Sequence, residues 1–170
     1  MMKQWILFPI FLFFLATALC QTEPIEPAYK RFPIIPAFTL LLTDSISLFT
    51  KDDLKKNQPT MLILFSPDCD HCKHETEEII KHLDDFKKIN IIMATMLPIE
   101  KMKAFYETYQ LSRFENIVVG YDKFFTLPSF YEIKSFPFLA FYDKKKKLIS
   151  VYEGNLPIPK MLEQLSKKAE

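Results

Sequence analysis

Glycine is nearly absent from this chain, whose 170 residues include 2 Gly and 12 Pro. Folds built entirely from β-strands depend on glycine in their turns, so this scarcity favours a domain of mixed helices and strands. The chain also lacks a charge surplus, with 22 Lys and Arg against 21 Asp and Glu. This balance gives no electrostatic reason to expect a nucleic-acid partner or an anionic membrane partner. Apolar residues are abundant, at 49% of the chain with 17 Phe, and they exclude a mostly disordered protein.

The N-terminus has the layout of a secretory signal peptide. Lys3 precedes an apolar stretch, residues 5–19, which is shorter than the ~20 residues that a membrane-spanning helix needs. We expect cleavage after Cys20, so that residues 1–20 form the signal peptide and the mature protein is exported to the periplasm or cell envelope. The alternative is a lipid anchor on Cys20, although Leu19 occupies the position where a lipoprotein signal has a small residue.

Cysteine is also scarce, and cleavage after Cys20 would leave one closely spaced pair, Cys69 and Cys72. An exported disulfide scaffold has more cysteines, dispersed along the chain, so we interpret the pair as reactive rather than structural. Two thiols at this spacing can close a small disulfide or hold a soft metal ion.

The context of the pair favours redox chemistry. Cys69-Asp-His-Cys72 lies between an apolar, strand-like run at residues 60–65 and a helix-like run that begins near His74. A strand that leads into a helix with C-x-x-C at the junction is typical of a thioredoxin-like redox site. The N–H groups and the positive dipole end of the helix favour the thiolate, which is the attacking species in disulfide exchange.

Hydrophobic periodicity predicts one α/β domain at residues 37–170, preceded by a proline-rich tether at residues 21–36. Its central mixed β-sheet should be flanked by helices on both faces, with an extra hairpin at the N-terminal side. The predicted strands are residues 38–42, 46–49, 60–65, 89–95, 138–142 and 148–152, with a short strand or loop at 117–120. The predicted helices are residues 74–86, a helix that starts at Pro98, and residues 157–168.

Three segments resemble the thioredoxin-like superfamily, especially exported TlpA/ResA-type thiol–disulfide oxidoreductases and related redoxin domains. Residues 62–75, LILFSPDCDHCKHE, are similar to the family's strand followed by (W/F)-(A/S)-x-x-C-x-x-C-x-x-E. Residues 131–143, YEIKSFPFLAFYD, are similar to the family's proline segment and the strand after it. Residues 153–155 match the family's glycine after the last strand. The resemblance covers residues 36–168 and implies a thioredoxin-like fold.

The resemblance also implies a role for each matching position. Cys69 would be the exposed nucleophile and Cys72 the buried resolving thiol, in exchange with protein dithiols or disulfides and with an external redox partner. Pro137 would be a cis-proline that lines the substrate groove, and Phe136 would offer backbone hydrogen bonds to an extended substrate. We expect a monomer that needs no cofactor and no metal.

Four positions bear on how the pair is tuned. The buried acid of many thioredoxins would fall at Ile63, so Glu75 is the candidate acid or base in its place. Asp68, assigned to the substrate groove, stands where a Trp is common, and its negative charge should oppose the Cys69 thiolate. His71 lies between the cysteines, where an imidazolium would stabilise the thiolate and make the disulfide more oxidising.

Three alternative functions stay open. A copper or zinc binding or delivery module could use both thiolates with His71 or His74, although Sco-type copper proteins use C-x-x-x-C with a distant His and this chain has no histidine after His82. A peroxidase of the redoxin type would place Thr where this chain has Ser66. A non-catalytic binding domain would carry the cysteines as a vestige.

Overall fold

A seven-stranded mixed sheet runs through residues 26–169, the part of the chain that the structure, a computed structural model, describes. Its strands are β1 (Thr39–Leu41), β2 (Leu48–Thr50), β3 (Thr60–Leu64), β4 (Asn90–Thr95), β5 (Ile117–Tyr121), β6 (Phe138–Tyr142) and β7 (Leu148–Glu153). They lie in the order β2-β1-β5-β4-β3-β6-β7. The pairs β3–β4 and β4–β5 are parallel, and the other neighbours are antiparallel. The predicted signal peptide and Cys20 lie outside the described residues.

Helices cover both faces of the sheet, which confirms the predicted α/β class. They are α1 (Ala28–Arg31), α2 (Asp70–Lys81), α3 (Ile99–Thr108), α4 (Thr126–Tyr131) and α5 (Ile158–Ser166). One core cluster includes Ile79 of α2, Met102 of α3 and Met161 of α5. The opposite cluster includes Leu127 and Tyr131 of α4. No helix within residues 26–169 is long and apolar enough to cross a membrane.

The central strand β3 contributes to both core clusters because successive side chains of a strand point to opposite faces. Met61 and Ile63 enter the cluster that α2 covers, whereas Leu62 and Leu64 enter the cluster that α4 covers. Every residue of β3 is buried. The strand is therefore anchored on both faces, and the loop that follows it starts from a rigid position.

Two helices of the predicted domain differ from the periodicity prediction. The predicted helix at 74–86 begins earlier, at Asp70, and ends at Lys81, with a separate 3₁₀ turn at Leu83–Phe86. The first turn of α2 is polar, and Cys72 is its one buried side chain. The sequence therefore shows no helical repeat of apolar residues in this turn, and the predicted helix starts too late. The helix α4 was not predicted, because six residues are too few to show a helical period.

Part of the predicted tether is described, and it packs against the domain. The turn α1 precedes Ile35, which is buried at 5% exposure. The backbone N–H of Ile35 donates to the carbonyl of Lys146, and Leu148 N–H donates to the carbonyl of Pro33. Residues 33–35 thus lie along the start of β7. The division into tether and domain stays a prediction.

The scarcity of glycine has a visible consequence in the backbone. Among residues 26–169, six residues other than glycine have a positive φ, namely Ser45, Asn57, Gln110, Phe125, Glu132 and Lys146. The left-handed conformation costs an L-amino acid about 1–2 kcal/mol, and glycine escapes this cost. The chain therefore carries backbone strain at positions that many proteins give to glycine.

Replacing Glu132 with glycine is expected to stabilise the fold by about 1 kcal/mol, since the relief of left-handed strain exceeds the entropy cost of glycine. Glu132 is exposed and follows the last residue of α4 with φ 52°. The midpoint of urea unfolding measures the effect. Ala104→Gly, on the exposed side of α3, is the matched control and should destabilise by about 1 kcal/mol. Equal losses in both variants would contradict the assignment of strain to Glu132.

Candidate active site

Cys69 lies at the junction of β3 and α2, as the N-cap residue of the helix with an extended backbone (φ −82°, ψ 122°). Its N–H donates to the carbonyl of Ser66 at 3.1 Å, and its carbonyl accepts from Lys73 N–H at 3.1 Å. The side chain is half-buried. It stands before the first turn of the helix, where backbone N–H groups lack helical partners and favour a nearby anion.

Cys72 lies one turn further on α2 and is 1% exposed. Burial raises the pKa of the Cys72 thiol to about 12, with smaller upward contributions from Cys69 and Glu75, and a backbone hydrogen bond with Ser66 opposes this shift. Both cysteines are free thiols in the structure. The pair is therefore asymmetric, with one accessible thiol and one enclosed thiol that holds its proton at neutral pH.

The segment before β6 closes the other side of Cys69. Strand β6 is antiparallel to β3 and Phe138 pairs with Leu64, so the residues before β6 meet the end of β3. The Cys69 Sγ lies 3.8 Å from the carbonyl oxygen of Phe136 and donates to it. The Phe136–Pro137 peptide bond is cis, and Pro137 is buried. The structure thus brings Phe136 and Pro137 to the thiol, from the far part of the chain.

Glu75 lies on α2, one turn after Cys72, and is 3% exposed. Its Oε2 accepts from Asn155 Nδ2 at 2.7 Å, and its Oε1 accepts from Leu156 N–H at 3.1 Å. Burial raises the pKa of the Glu75 carboxyl, and these two hydrogen bonds oppose that shift. The carboxylate is therefore enclosed on α2, the helix that also carries Cys72, and is held by two donors from the loop after β7.

Asp68 forms a salt bridge with Lys101 of α3, and both side chains are more than half exposed. The two residues line a shallow cavity of about 260 Å³ that also includes Tyr109. The negative charge next to Cys69 is thus paired with a cation, a partner that sequence reasoning missed. Asp68 and Lys101 are 33 residues apart in the chain, and no local pattern indicates their contact.

His71 is exposed on the first turn of α2, and its backbone carbonyl accepts from Asn155 Nδ2 at 2.8 Å. Its neighbour Asp70 has a carboxyl pKa below the ordinary value, first because of the hydrogen bond from Lys73 and to a lesser degree because of His71. Within residues 26–169, no three His, Cys, Asp or Glu side chains are grouped so that they could hold a metal ion.

The family model that matches this chain is the AhpC/TSA family, over residues 34–162. The chain belongs to the AhpC/TSA family. This membership supports an oxidoreductase activity in general, and it confirms the redoxin resemblance read from the two cysteines and the proline segment. No curated protein sequence matched this AhpC/TSA member significantly.

Solved structures share the thioredoxin-like fold of this AhpC/TSA protein. A thioredoxin-type protein from Neisseria meningitidis is 22% identical with a TM-score of 0.63, covering 76% of this chain and 85% of that chain. The dsbF protein of Mycobacterium tuberculosis is 16% identical with a TM-score of 0.64, covering 76% and 92%. A secreted disulfide oxidoreductase of Mycobacterium tuberculosis, homologous to E. coli DsbE, is 15% identical with a TM-score of 0.63, covering 76% and 94%. At these identities the similarity establishes the fold.

Proposed function

We propose that this protein is an exported thiol–disulfide oxidoreductase, which exchanges the Cys69–Cys72 dithiol or disulfide with partner proteins. The observation that carries the proposal is the asymmetry of the pair, in which Cys69 is accessible at the N-cap of α2 and Cys72 is enclosed beside it. A nucleophile has to reach a partner's disulfide, whereas a resolving thiol has to reach only the nucleophile. Membership of the AhpC/TSA family supports the same class of chemistry.

The reaction proceeds in two exchanges. The Cys69 thiolate attacks one sulfur of the partner's disulfide, and the partner's S–S bond breaks, so that its other sulfur leaves as a thiolate and takes a proton. Cys72 then loses its proton and attacks Cys69 Sγ, which releases the partner's second thiolate. Two electrons have passed to the partner, and the Cys69–Cys72 disulfide remains for an external redox partner to reduce. Both exchanges are reversible, and the opposite direction oxidises a partner dithiol.

The substrate would lie along the segment before β6. The carbonyl of Phe136 lies 3.8 Å from the attacking sulfur and accepts from the Cys69 thiol. Once Cys69 is a thiolate, this carbonyl is a free backbone acceptor where a partner's disulfide must approach. An extended peptide that pairs with such an acceptor gains backbone hydrogen bonds without dependence on its sequence. Phe136 and Pro137 are therefore the proposed groove residues.

Glu75 is the proposed proton acceptor for Cys72. With a thiol pKa near 12, Cys72 is almost entirely protonated at neutral pH and must give up its proton to attack. Glu75 is enclosed on the same helix, one turn away, and its own pKa is raised by burial, which makes it a stronger base than an exposed carboxylate. His71 is proposed to tune the potential, since an imidazolium at the start of α2 favours the Cys69 thiolate.

Export of the protein is proposed from the signal-peptide pattern at residues 1–20. The Mycobacterium tuberculosis disulfide oxidoreductase that shares its fold is a secreted protein. Each turnover leaves the Cys69–Cys72 pair in the opposite redox state, so an external redox partner has to reset the pair in either direction of exchange.

Equilibration in glutathione redox buffers tests the proposal. We expect the protein to interconvert between a dithiol and an intramolecular disulfide, followed by the mass gained on alkylation and assigned to Cys69 and Cys72 by peptide mapping. A reduction potential near that of thioredoxin, about −270 mV, would indicate a reductase, and one near −120 mV an oxidase. A pair that stays as two thiols in every oxidising buffer would reject the function.

A further inference from the structure

The loop between β7 and α5 joins the two halves of the candidate active site. Gly154, with φ 86°, donates its N–H to the carbonyl of Pro137 at 2.7 Å. The next residue, Asn155, contacts α2 at two points, the backbone carbonyl of His71 and the carboxylate of Glu75. One short loop therefore links Pro137, before β6, to the helix α2 that carries Cys72.

The hydrogen-bond partners fix the orientation of the Asn155 amide. The carbonyl of His71 can only accept, so it must face the NH₂ group of Asn155, at 2.8 Å. The same NH₂ group faces Glu75 Oε2 at 2.7 Å, and the Leu156 N–H, which can only donate, faces Oε1 at 3.1 Å. Both oxygens of Glu75 are thus acceptors, which is the pattern that complements an ionised carboxylate.

We propose that Asn155 is a positioning residue for thiol exchange, whose amide ties the Glu75 carboxylate to the first turn of α2 and holds it ready to accept the proton of Cys72. The inference rests on the proposed function and extends it to a residue whose amide bonds to His71 and Glu75. Asn155 acts through Glu75, so its removal should change how the second exchange depends on pH rather than whether the first exchange occurs.

The direction of the pH effect follows from the charges around Glu75. The donors of Asn155 and Leu156 favour the ionised carboxylate, as does the nearby His74, whereas burial and Glu78 favour the protonated form. Loss of the Asn155 donor leaves burial less opposed, which raises the pKa of Glu75. A protonated Glu75 cannot accept the proton of Cys72, so the rate of the second exchange falls at low pH. This fall, the acid limb of the pH profile, therefore moves to higher pH.

Stopped-flow reaction with Ellman's reagent separates the two exchanges. In a Cys20→Ser background, attack by Cys69 releases the first thionitrobenzoate, and attack by Cys72 on the mixed disulfide releases the second. The rate of the second release should fall at low pH, where Glu75 is protonated. For Asn155→Leu we expect this fall to occur about one pH unit higher, so that the rate in the acid range is about tenfold lower than in the wild type. The first release should keep its rate. Asn155→Ser, with a smaller side chain, provides the same comparison if the leucine variant does not fold.

Two comparisons make the role specific. Asn116 is the matched control, because its Nδ2 also bridges two acceptors, in this case the backbone carbonyls of Phe86 and Ile89, at 2.9 and 3.3 Å. Asn116→Leu should lower stability and leave the pH profile unchanged. Glu75→Gln should remove the inflection that the Glu75 carboxyl gives to the pH profile, so that only the ionisation of Cys72 itself remains. Adding Asn155→Leu should then leave that profile unchanged, since residues that act through one another are not additive.

The outcomes distinguish this inference from the function on which it rests. If the unmodified pair never produces a second release, the exchange mechanism itself is wrong. A second release with the same pH profile in wild type and Asn155→Leu would overturn the role of Asn155 alone. An equal shift in Asn116→Leu, or additive effects of Asn155→Leu and Glu75→Gln, would overturn it as well.

Discussion

Replacing Cys72 with alanine is expected to stop the exchange half-way, with the partner protein held on Cys69 by a mixed disulfide. Cys69 remains half-buried at the N-cap of α2, so the first attack does not need Cys72. The second attack needs Cys72, because Cys72 is the enclosed thiol beside Cys69 that releases the partner. Non-reducing electrophoresis and intact mass should show the covalent adduct, and multiple turnover should fall by at least ~10³-fold.

The matched control for the trapped adduct is the chain with both substitutions, Cys69→Ser and Cys72→Ala, which should form none. Cys69→Ser alone should lose turnover to the same extent, because a serine hydroxyl does not ionise to a nucleophile in this pH range. Normal turnover in Cys72→Ala, with no adduct, would show that the two cysteines do not act as nucleophile and resolving thiol.

Replacing Gly120 with alanine is expected to lower the free energy of unfolding by about 1–3 kcal/mol, because a core that is already filled must shift to accept a methyl group. A Cβ at Gly120, in β5, would lie 2.6 Å from the Cβ of Leu40 in β1. Leu40 is fully buried, and its Cβ is attached directly to the backbone, so it cannot swing away. Urea or thermal unfolding measures the loss, and the redox activity of the folded fraction should be retained.

Gly154 provides the contrast, because an added Cβ there meets no atom within 4 Å. Its φ of 86° lies in the left-handed region, so Gly154→Ala should cost about 1–2 kcal/mol from the backbone alone. Because Gly154 N–H bonds to Pro137, this variant should also alter the exchange kinetics, whereas Gly120→Ala should not. Unchanged stability in Gly120→Ala would mean that β1 can move away from β5.

Local patterns predicted much of the fold because the strands carry their own signal. The apolar runs of β3 and β6 are fully buried on both faces, and their predicted bounds differ from the observed bounds by no more than one residue. The start of α2 did not follow from periodicity, since Cys72 is the one side chain of its first turn that enters the core. A helix as short as α4 is stabilised by what it packs against, and that information is not local.

Some residues of the candidate site were also found from the sequence, whereas others are brought to the site only by the fold. The two cysteines, His71, Asp68 and Glu75 belong to one contiguous segment, and a family resemblance added Phe136 and Pro137. Asn155 and Lys101 escaped notice as site residues because each meets its partner across 80 and 33 residues of chain, respectively. Nothing in the spacing of a sequence records such a contact.

The sequence by itself located the candidate redox site at the junction of β3 and α2, because a C-x-x-C between a buried strand and a helix needs only local order to place a thiol at a helix N-terminus. The family resemblance implied which thiol is exposed, but only the tertiary structure decided the environment that surrounds Cys72. Burial of Cys72 and Glu75, the pairing of Asp68 with Lys101, and the link from Asn155 to α2 all depend on segments that meet only when the sheet is assembled. The physical reason is that desolvation and hydrogen bonding act through space, so the pKa values of Cys72 and Glu75 are properties of the folded molecule.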